Sequence, residues 1–168
     1  MEQSIDKKPK LKDKLQFFFN KNKNKFFLIF FLIKLMTISL ILWKDNKNKE
    51  NILISEKYTK AQLFLSKNKK EVAAKYFEEI IYSKNKFYSV LALNTILEKE
   101  LILDKKKILE FFSIVESLPY KDTSKDLINL KKALYLLKDS NSAEADRLLK
   151  KIIEKKSSLK IIAQEILE

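Results

Sequence analysis

The side chains available for chemistry in this chain include carboxylates and amines but no imidazole and no thiol, because its 168 residues include no histidine and no cysteine; glycine is missing as well. Without histidine, the commonest general base and zinc ligand is missing. Without cysteine there are no disulfides and no thiolate metal sites. Without glycine there is no phosphate-binding loop and no dinucleotide fingerprint. Acid–base catalysis by carboxylates alone is the chemistry that remains.

The acidic residues are spaced as on the solvated face of a helix. Glu71, Lys75, Glu78 and Glu79 follow one another mainly at i,i+3 and i,i+4 intervals, which interleaves opposite charges on a helix surface. This arrangement indicates surface charge pairing rather than a catalytic pair of carboxylates. We therefore expect no enzyme, with no catalytic residue, no metal ligand set and no cofactor.

The formal net charge of +13 comes almost wholly from lysine, since Arg147 is the only arginine. Abundant lysine, asparagine, isoleucine and phenylalanine without glycine is the composition that an AT-rich genome produces. Proteins that bind nucleic acids favour arginine for bidentate contacts and cluster their basic residues. The dispersed lysines therefore predict no nucleic-acid binding.

One segment, residues 26–43, has the composition of a transmembrane helix. It reads FFLIFFLIKLMTISLILW, with only Lys34, Thr37 and Ser39 polar. As a helix it would be about 27 Å long, close to the roughly 30 Å of a bilayer's hydrocarbon core. Trp43 lies at its end, where an interfacial aromatic residue is common. The sequence thus predicts a single-span membrane protein.

Lys34 is the one charge within the predicted span. A central lysine costs about 2.5–3.5 kcal/mol on the insertion scale. The strongly apolar residues together favour insertion by about 4–8 kcal/mol, so the helix is still expected to insert. Two interpretations of Lys34 stay open: its amine snorkels to the membrane surface, or it faces a polar partner inside the bilayer.

The span is expected to stay attached as a signal anchor. A cleaved signal peptide has a shorter apolar run followed by small residues, whereas KDNKNK follows Trp43. Eight lysines precede the span and five follow it within a comparable distance, which favours a cytoplasmic N-terminus and a translocated C-terminal domain. We predict a flexible, lysine-rich cytoplasmic tail at residues 1–25, the transmembrane helix at 26–43, a helical linker at 44–51 and a helical domain at 52–168.

The domain at residues 52–168 has apolar residues at helical spacing, without the alternation typical of strands. Short breaks divide this domain into about seven helices. The breaks lie at residues 67–70, 83–86, 99–104, 119–123, 139–141 and 155–157. The expected fold class is therefore all-α.

Several residues indicate where these helices begin. Three pairs have the spacing of an N-cap and its N3 partner: Asn68 with Glu71, Thr123 with Asp126, and Asn141 with Glu144. In a chain without glycine, Asn68, Asn85 and Asn141 are expected to take left-handed turn positions. Asp104 is expected to begin a helix poorly, because the three lysines after it oppose the helix dipole.

An internal repeat with a 72-residue offset runs through the domain. Residues 60–81, KAQLFLSKNKKEVAAKYFEEII, align without a gap on residues 132–153, KALYLLKDSNSAEADRLLKKII. Each copy has a small residue, a second one twelve residues later and a large apolar residue four further on: Ala61, Ala73 and Phe77, then Ala133, Ala145 and Leu149. Alanine lets two antiparallel helices approach, and the large residue fills the space beside it. An unrelated helical bundle is the alternative.

The small–small–large spacing resembles the tetratricopeptide repeat, and the 72-residue offset is about twice its 34-residue period. A divergent unit at about residues 87–118 would lie between the copies and keeps little beyond Ala92. The motif's closing proline is missing, and its aromatic opening is present only as Tyr58 and Phe64. With its N-terminal anchor, the chain resembles the membrane-anchored tetratricopeptide proteins of bacteria typified by the ancillary SecYEG translocon subunit.

That resemblance implies a short, degenerate array of helical hairpins that faces the periplasm from the inner membrane. Its partners would be translocon subunits, emerging proteins or periplasmic chaperones. Mapping the repeat places six candidate partner-binding residues on the inward face: Tyr58, Gln62, Leu65, Leu130, Leu134 and Leu137. The leucines among them fit a simple core role as well.

Two other functions stay open. The chain fits a structural subunit of a membrane complex that interacts through Lys34 in its transmembrane helix. It also fits a cytoplasm-facing anchor for acidic partners or nucleic acid. In addition, an apolar stripe on the last helix, at residues 161–167, fits self-association into a homo-oligomer.

Overall fold

The computed structural model describes residues 11–138, 142–155 and 157–168, and that part of the chain forms seven α-helices and no β-strand. The helices are α1 (Leu11–Ser66), α2 (Lys70–Tyr82), α3 (Tyr88–Glu98), α4 (Lys105–Glu116), α5 (Asp122–Lys138), α6 (Ser142–Glu154) and α7 (Lys160–Leu167). The chain divides into two compact units, one up to Lys49 and one from Glu50 onward. The predicted all-α fold is confirmed for the described residues.

The first unit contains the N-terminal part of α1 and, with it, the predicted span. Every side chain at residues 26–43 is exposed, and this stretch is apolar and long enough to cross a bilayer. Helix α1 already begins at Leu11, so residues 11–25 are helical. The prediction of a flexible tail is therefore wrong for these residues. These residues include no proline or glycine, and extending an existing helix needs no new nucleus. Residues 1–10 of the predicted tail lie outside the described part, and the predicted linker at residues 44–51 is helical.

In the second unit, helices pack mainly on their neighbours in the chain. From α2 to α7 each helix contacts the next, and α2 also contacts α4. The end of α1 packs against α2 through aromatic rings. Tyr58 contacts Phe77 edge to face with ring centroids 5.6 Å apart, and Phe64 stacks on Tyr76 with ring centroids 5.5 Å apart. Contacts of this short-range kind are typical of a linear helical array.

Two hydrophobic cores stabilise the second unit. The first draws its buried side chains from α1 to α4 and the start of α5: Ile54, Ala61, Ala73, Phe77, Ile80, Ile81, Ala92, Leu93, Ile96, Ile108, Phe111, Phe112, Val115 and Ile128. The second draws them from the rest of α5, α6 and α7: Leu130, Ala133, Leu136, Ala145, Leu148, Leu149, Ile152 and Ala163. Helix α5 therefore contributes to both cores.

The aligned positions of the internal repeat are core positions in both copies. All six side chains of the small–small–large pattern have no exposed surface: Ala61, Ala73 and Phe77 in the first copy, and Ala133, Ala145 and Leu149 in the second. In each copy the two alanines lie on successive helices, α1 and α2 or α5 and α6. The prediction that these residues are buried between paired helices is confirmed.

The residues that take left-handed positions and cap helices in the turns differ in part from those that the sequence predicted. Asn68 is left-handed as predicted, with φ 58°, but it does not cap α2, whose N-cap is Lys69. Lys84, with φ 56°, takes the left-handed position expected at Asn85. The Asn85 carboxamide instead accepts hydrogen bonds from the backbone amides of residues 87 and 88, at 3.1 and 3.0 Å, where α3 begins. Glu100 is a third left-handed residue, with φ 47°.

Two further predictions of helix starts need correction. Asp104 begins α4 well, because its carboxylate accepts a 3.3 Å hydrogen bond from the Lys107 amide. That direct bond offsets the effect of the lysine charges on the helix dipole, and the charge of Lys107 is itself paired with Glu78 at 2.7 Å. Thr123 lies inside α5 rather than before it, and its proposed partner Asp126 is buried. Asn141 lies outside the described residues.

Candidate functional site

The six predicted partner-binding residues differ in their exposure. Tyr58, Gln62 and Leu65 on α1 are half-buried, and the Tyr58 hydroxyl accepts a 2.9 Å hydrogen bond from Gln62 Nε2. Leu65 packs against the first core. On α5, Leu130 is buried in the second core and Leu137 is half-buried against it. Leu134 is 43% exposed, so it is the member of the set best placed to meet a partner.

Leu134 lines a groove between α3 and α5, which we call the α3–α5 groove. It consists of two depressions that share Lys131. The larger one, of about 370 Å³, is lined by Asn94, Ile96, Leu97, Glu98, Glu100, Ile102, Leu103, Lys131, Leu134, Tyr135 and Lys138. The smaller one, of about 200 Å³, is lined by Lys86, Phe87, Val90, Leu91, Tyr120, Ser124, Leu127, Ile128 and Lys131.

Large apolar side chains are exposed at both ends of the α3–α5 groove. Leu103 is 83% exposed and Leu134 43% in the larger depression, while Phe87 is 64% exposed and Leu127 43% in the smaller one. Contiguous exposed apolar surface on a small domain commonly marks a binding site. The groove therefore has the character of a docking surface rather than of a catalytic cleft.

The α3–α5 groove is lined by three lysines and two glutamates. Lys131 Nζ donates a 2.8 Å hydrogen bond to the neutral side chain of Asn94. Lys86 lies over the ring of Tyr120, with its amine 5.6 Å from the ring centroid. Neither lysine forms an ion pair within the part of the chain that the structure describes, and Lys138 adds a third cation at the far end. Glu98 and Glu100 line the larger depression as well, so a segment with charges of both signs would complement this surface.

Tyr120 fixes the edge of the smaller depression. Its hydroxyl donates a 2.5 Å hydrogen bond to the backbone carbonyl of Lys86, which ties the segment before α5 to the segment before α3. Burial raises the pKa of the Tyr120 hydroxyl above its ordinary value, because an ionised phenolate would lose solvation there. The hydroxyl therefore remains a neutral donor at physiological pH.

Three exposed groove residues were missed by the sequence analysis: Phe87, Leu103 and Leu127. Phe87 and Leu103 lie in the connections before α3 and α4. Helical periodicity does not apply there, so it cannot predict whether these side chains are buried or exposed. An available signal was the apolar run LIL at residues 101–103 inside a predicted break. Apolar residues in a connection need either a core or a partner to cover them.

Lys34 lies on the exposed surface of α1 among apolar side chains. Its amine is 5.8 Å from the centroid of the Phe30 ring, one turn earlier on the helix. Thr37 Oγ1 donates a 2.8 Å hydrogen bond to the Lys34 backbone carbonyl, so the threonine hydroxyl is satisfied within the helix. Lys34 is the one charged residue at positions 26–43, and no ion pair is recorded for its ammonium among the residues that the structure describes.

Among the described residues, no three acidic side chains converge in a way that could hold a metal ion. Comparison with known proteins gave no matching family model, no similar curated protein and no similar solved structure. The described residues are thus defined by their own features: they form α-helices, one of which is long and apolar enough to span a membrane, and their second unit exposes an apolar groove lined by lysines and glutamates.

Proposed function

We propose that this chain is a membrane-tethered scaffold that binds protein segments in the α3–α5 groove. The observation that carries the proposal is the exposure of Leu134, Leu103, Phe87 and Leu127 along a groove flanked by lysines. Other large apolar side chains of the second unit, such as Leu63 and Ile161, are exposed as well, but these four line the two depressions of one groove. Leaving these four exposed disfavours the isolated state and favours a covered one.

The remaining parts of the proposal follow from the repeat and the span. The second unit is a short, degenerate tetratricopeptide-like array, supported by the buried alanines at equivalent positions in two helix pairs. Residues 26–43 anchor it in the bacterial inner membrane, with the N-terminus in the cytoplasm and the second unit in the periplasm. Partners would be translocon subunits, periplasmic chaperones or proteins under assembly in the envelope.

Crosslinking from inside the groove tests this function. A photo-crosslinking amino acid replaces Leu134 in the full chain, and a matched variant carries it at Leu63, a leucine on α1 that is 51% exposed and outside the groove. After irradiation in living cells, we expect a discrete adduct from position 134, with an envelope or translocon protein or a second copy of the chain. Equal adduct patterns from both positions, or none from position 134, would refute the groove as a binding surface.

A second candidate function rests on Lys34. An ammonium among exposed apolar side chains would be stabilised by an acidic residue of another transmembrane helix, which would make the span the interacting element. Replacing Lys34 by leucine separates the two functions. Loss of the adducts formed at position 134 would favour the span, and unchanged adducts would favour the groove.

A further inference from the structure

Helix α7 has an apolar edge that its own chain leaves uncovered. Its Ala163 is fully buried in the second core, and Ile166 and Leu167 pack against that core. Ile161 and Ile162 are 69% and 45% exposed. Helix α7 therefore packs against the second core with one side and exposes two isoleucines to solvent on another.

Charged side chains of opposite sign flank these isoleucines. Lys160 precedes them, and Glu165 follows Ile161 at i+4, so the carboxylate lies one helical turn along the same side. Both charged residues are exposed, and neither forms an ion pair with any residue that the structure describes. The edge of α7 thus has a cation, an apolar pair and an anion in sequence.

The larger depression of the α3–α5 groove is lined by apolar side chains and by charges of both signs. Leu134 is its apolar centre on α5, with Lys131 about one turn before it and Lys138 about one turn after it. On the opposite rim, Glu98 and Glu100 lie at the end of α3 and just beyond it. Glu165 lies about one helical turn from Ile161, and Lys131 and Lys138 each lie about one turn from Leu134, or about 5–6 Å.

We propose that α7 of one copy docks into the α3–α5 groove of a second copy. Ile161 and Ile162 would cover Leu134 and its apolar neighbours, and Glu165 would pair with Lys131 or Lys138. Lys160 would then approach the acidic rim formed by Glu98 and Glu100. This inference rests on the proposed function, because it takes the groove as a docking surface and assigns its occupant.

Charge complementarity on both sides of the apolar contact favours a second copy over an unrelated acidic segment. A purely acidic partner would satisfy the lysines but would approach the glutamates with like charge, which is unfavourable. The α7 edge supplies one charge of each sign, as a surface lined by both lysines and glutamates requires. Tethering in a shared membrane would further raise the local concentration of both surfaces, so a small contact could be populated.

Cysteine crosslinking of the full chain tests this contact directly, because the chain has no native cysteine. Two differently tagged versions, Leu134→Cys and Ile161→Cys, are expressed together and their membranes are mildly oxidised. We expect a disulfide-linked heterodimer carrying both tags. Leu63→Cys combined with Ile161→Cys is the matched control for random collision, since Leu63 is a similarly exposed leucine outside the groove.

A charge exchange tests the pairing without relying on one variant. Glu165→Lys on the Ile161→Cys chain should lower the heterodimer yield about two- to fivefold, as expected for an exposed pair. Adding Lys131→Glu and Lys138→Glu to the Leu134→Cys chain should restore the yield. Far-ultraviolet circular dichroism of each purified variant checks that the helices are retained.

The outcomes separate this inference from the proposed function. A heterodimer yield no greater than that of the Leu63→Cys control would overturn the docking of α7. If Leu134 still crosslinked to another protein in that case, the scaffold function would stand with a different occupant. If neither contact formed, both proposals would fail.

Discussion

Lys131 Nζ and Asn94 Oδ1 are joined by a 2.8 Å hydrogen bond that links α5 to α3 within the groove. Replacing Asn94 by alanine should lower the free energy of unfolding by about 0.5–1.5 kcal/mol, as for a typical hydrogen bond. The measurement is urea denaturation of the detergent-solubilised full chain, followed by circular dichroism. The bond also holds the lysine amine in place without neutralising it.

A double-mutant cycle separates this hydrogen bond from other effects of the substitution. Asn94→Ala, Lys131→Ala and the combined variant should give a coupling energy of about 0.5–1 kcal/mol. Strictly additive effects of the two substitutions would show that the side chains do not interact in solution.

The repeated alanines should tolerate no increase in size. Ala145 is fully buried between α5 and α6, so Ala145→Leu should destabilise the second unit by about 1–3 kcal/mol through overpacking. Ala143 lies on the same helix and is exposed, and Ala143→Leu should change stability by less than about 0.5 kcal/mol. Equal effects of the two substitutions in thermal denaturation would contradict the burial of the repeat.

A second lysine should bring the span close to the limit of insertion. With Lys34 present, Ile33→Lys would raise the total cost of charges to about 5–7 kcal/mol, against about 4–8 kcal/mol from the apolar residues. Carbonate extraction should then release a large fraction of the variant, whereas Lys34→Leu should remain wholly in the membrane pellet. If carbonate also released the chain without any substitution from the membranes, residues 26–43 would not form a transmembrane helix.

The orientation follows from which side of the membrane reacts with an impermeant reagent. Ser158 and Lys12 are exposed residues of the second and first unit. With the outer membrane permeabilised, a maleimide that cannot cross the inner membrane should label Ser158→Cys at once and Lys12→Cys only after lysis. The reverse pattern would place the second unit in the cytoplasm and favour acidic partners there.

Sequence patterns predicted most of the fold because helical periodicity and composition act locally. The apolar run at residues 26–43 identifies a helix, and the repeated alanines at Ala61 and Ala133 identify helices together with their buried faces. Helix ends were less predictable. In a chain without glycine, Lys84 and Glu100 adopt left-handed backbone angles that their residue types do not favour, so no pattern marks them.

The candidate site was less predictable than the fold. Of the inward-facing residues expected from the repeat, Leu134 lies exposed in the groove while Leu130 is buried four residues earlier. Both follow the same apolar periodicity, and which one faces a partner depends on how α3 packs beside α5. Leu103 belongs to a connection, so its exposure depends on the path of the chain rather than on any repeat.

The division of the second unit into two hydrophobic cores has a consequence for how it opens. Ile128 belongs to the first core and Leu130 to the second, so α5 is the seam between a group from α1 to α4 and a group of α6 and α7. Proteins of this kind unfold in cooperative segments of unequal stability. The two C-terminal helices should exchange their amide hydrogens faster than α2 to α4, and they can detach while the remainder keeps its tertiary structure.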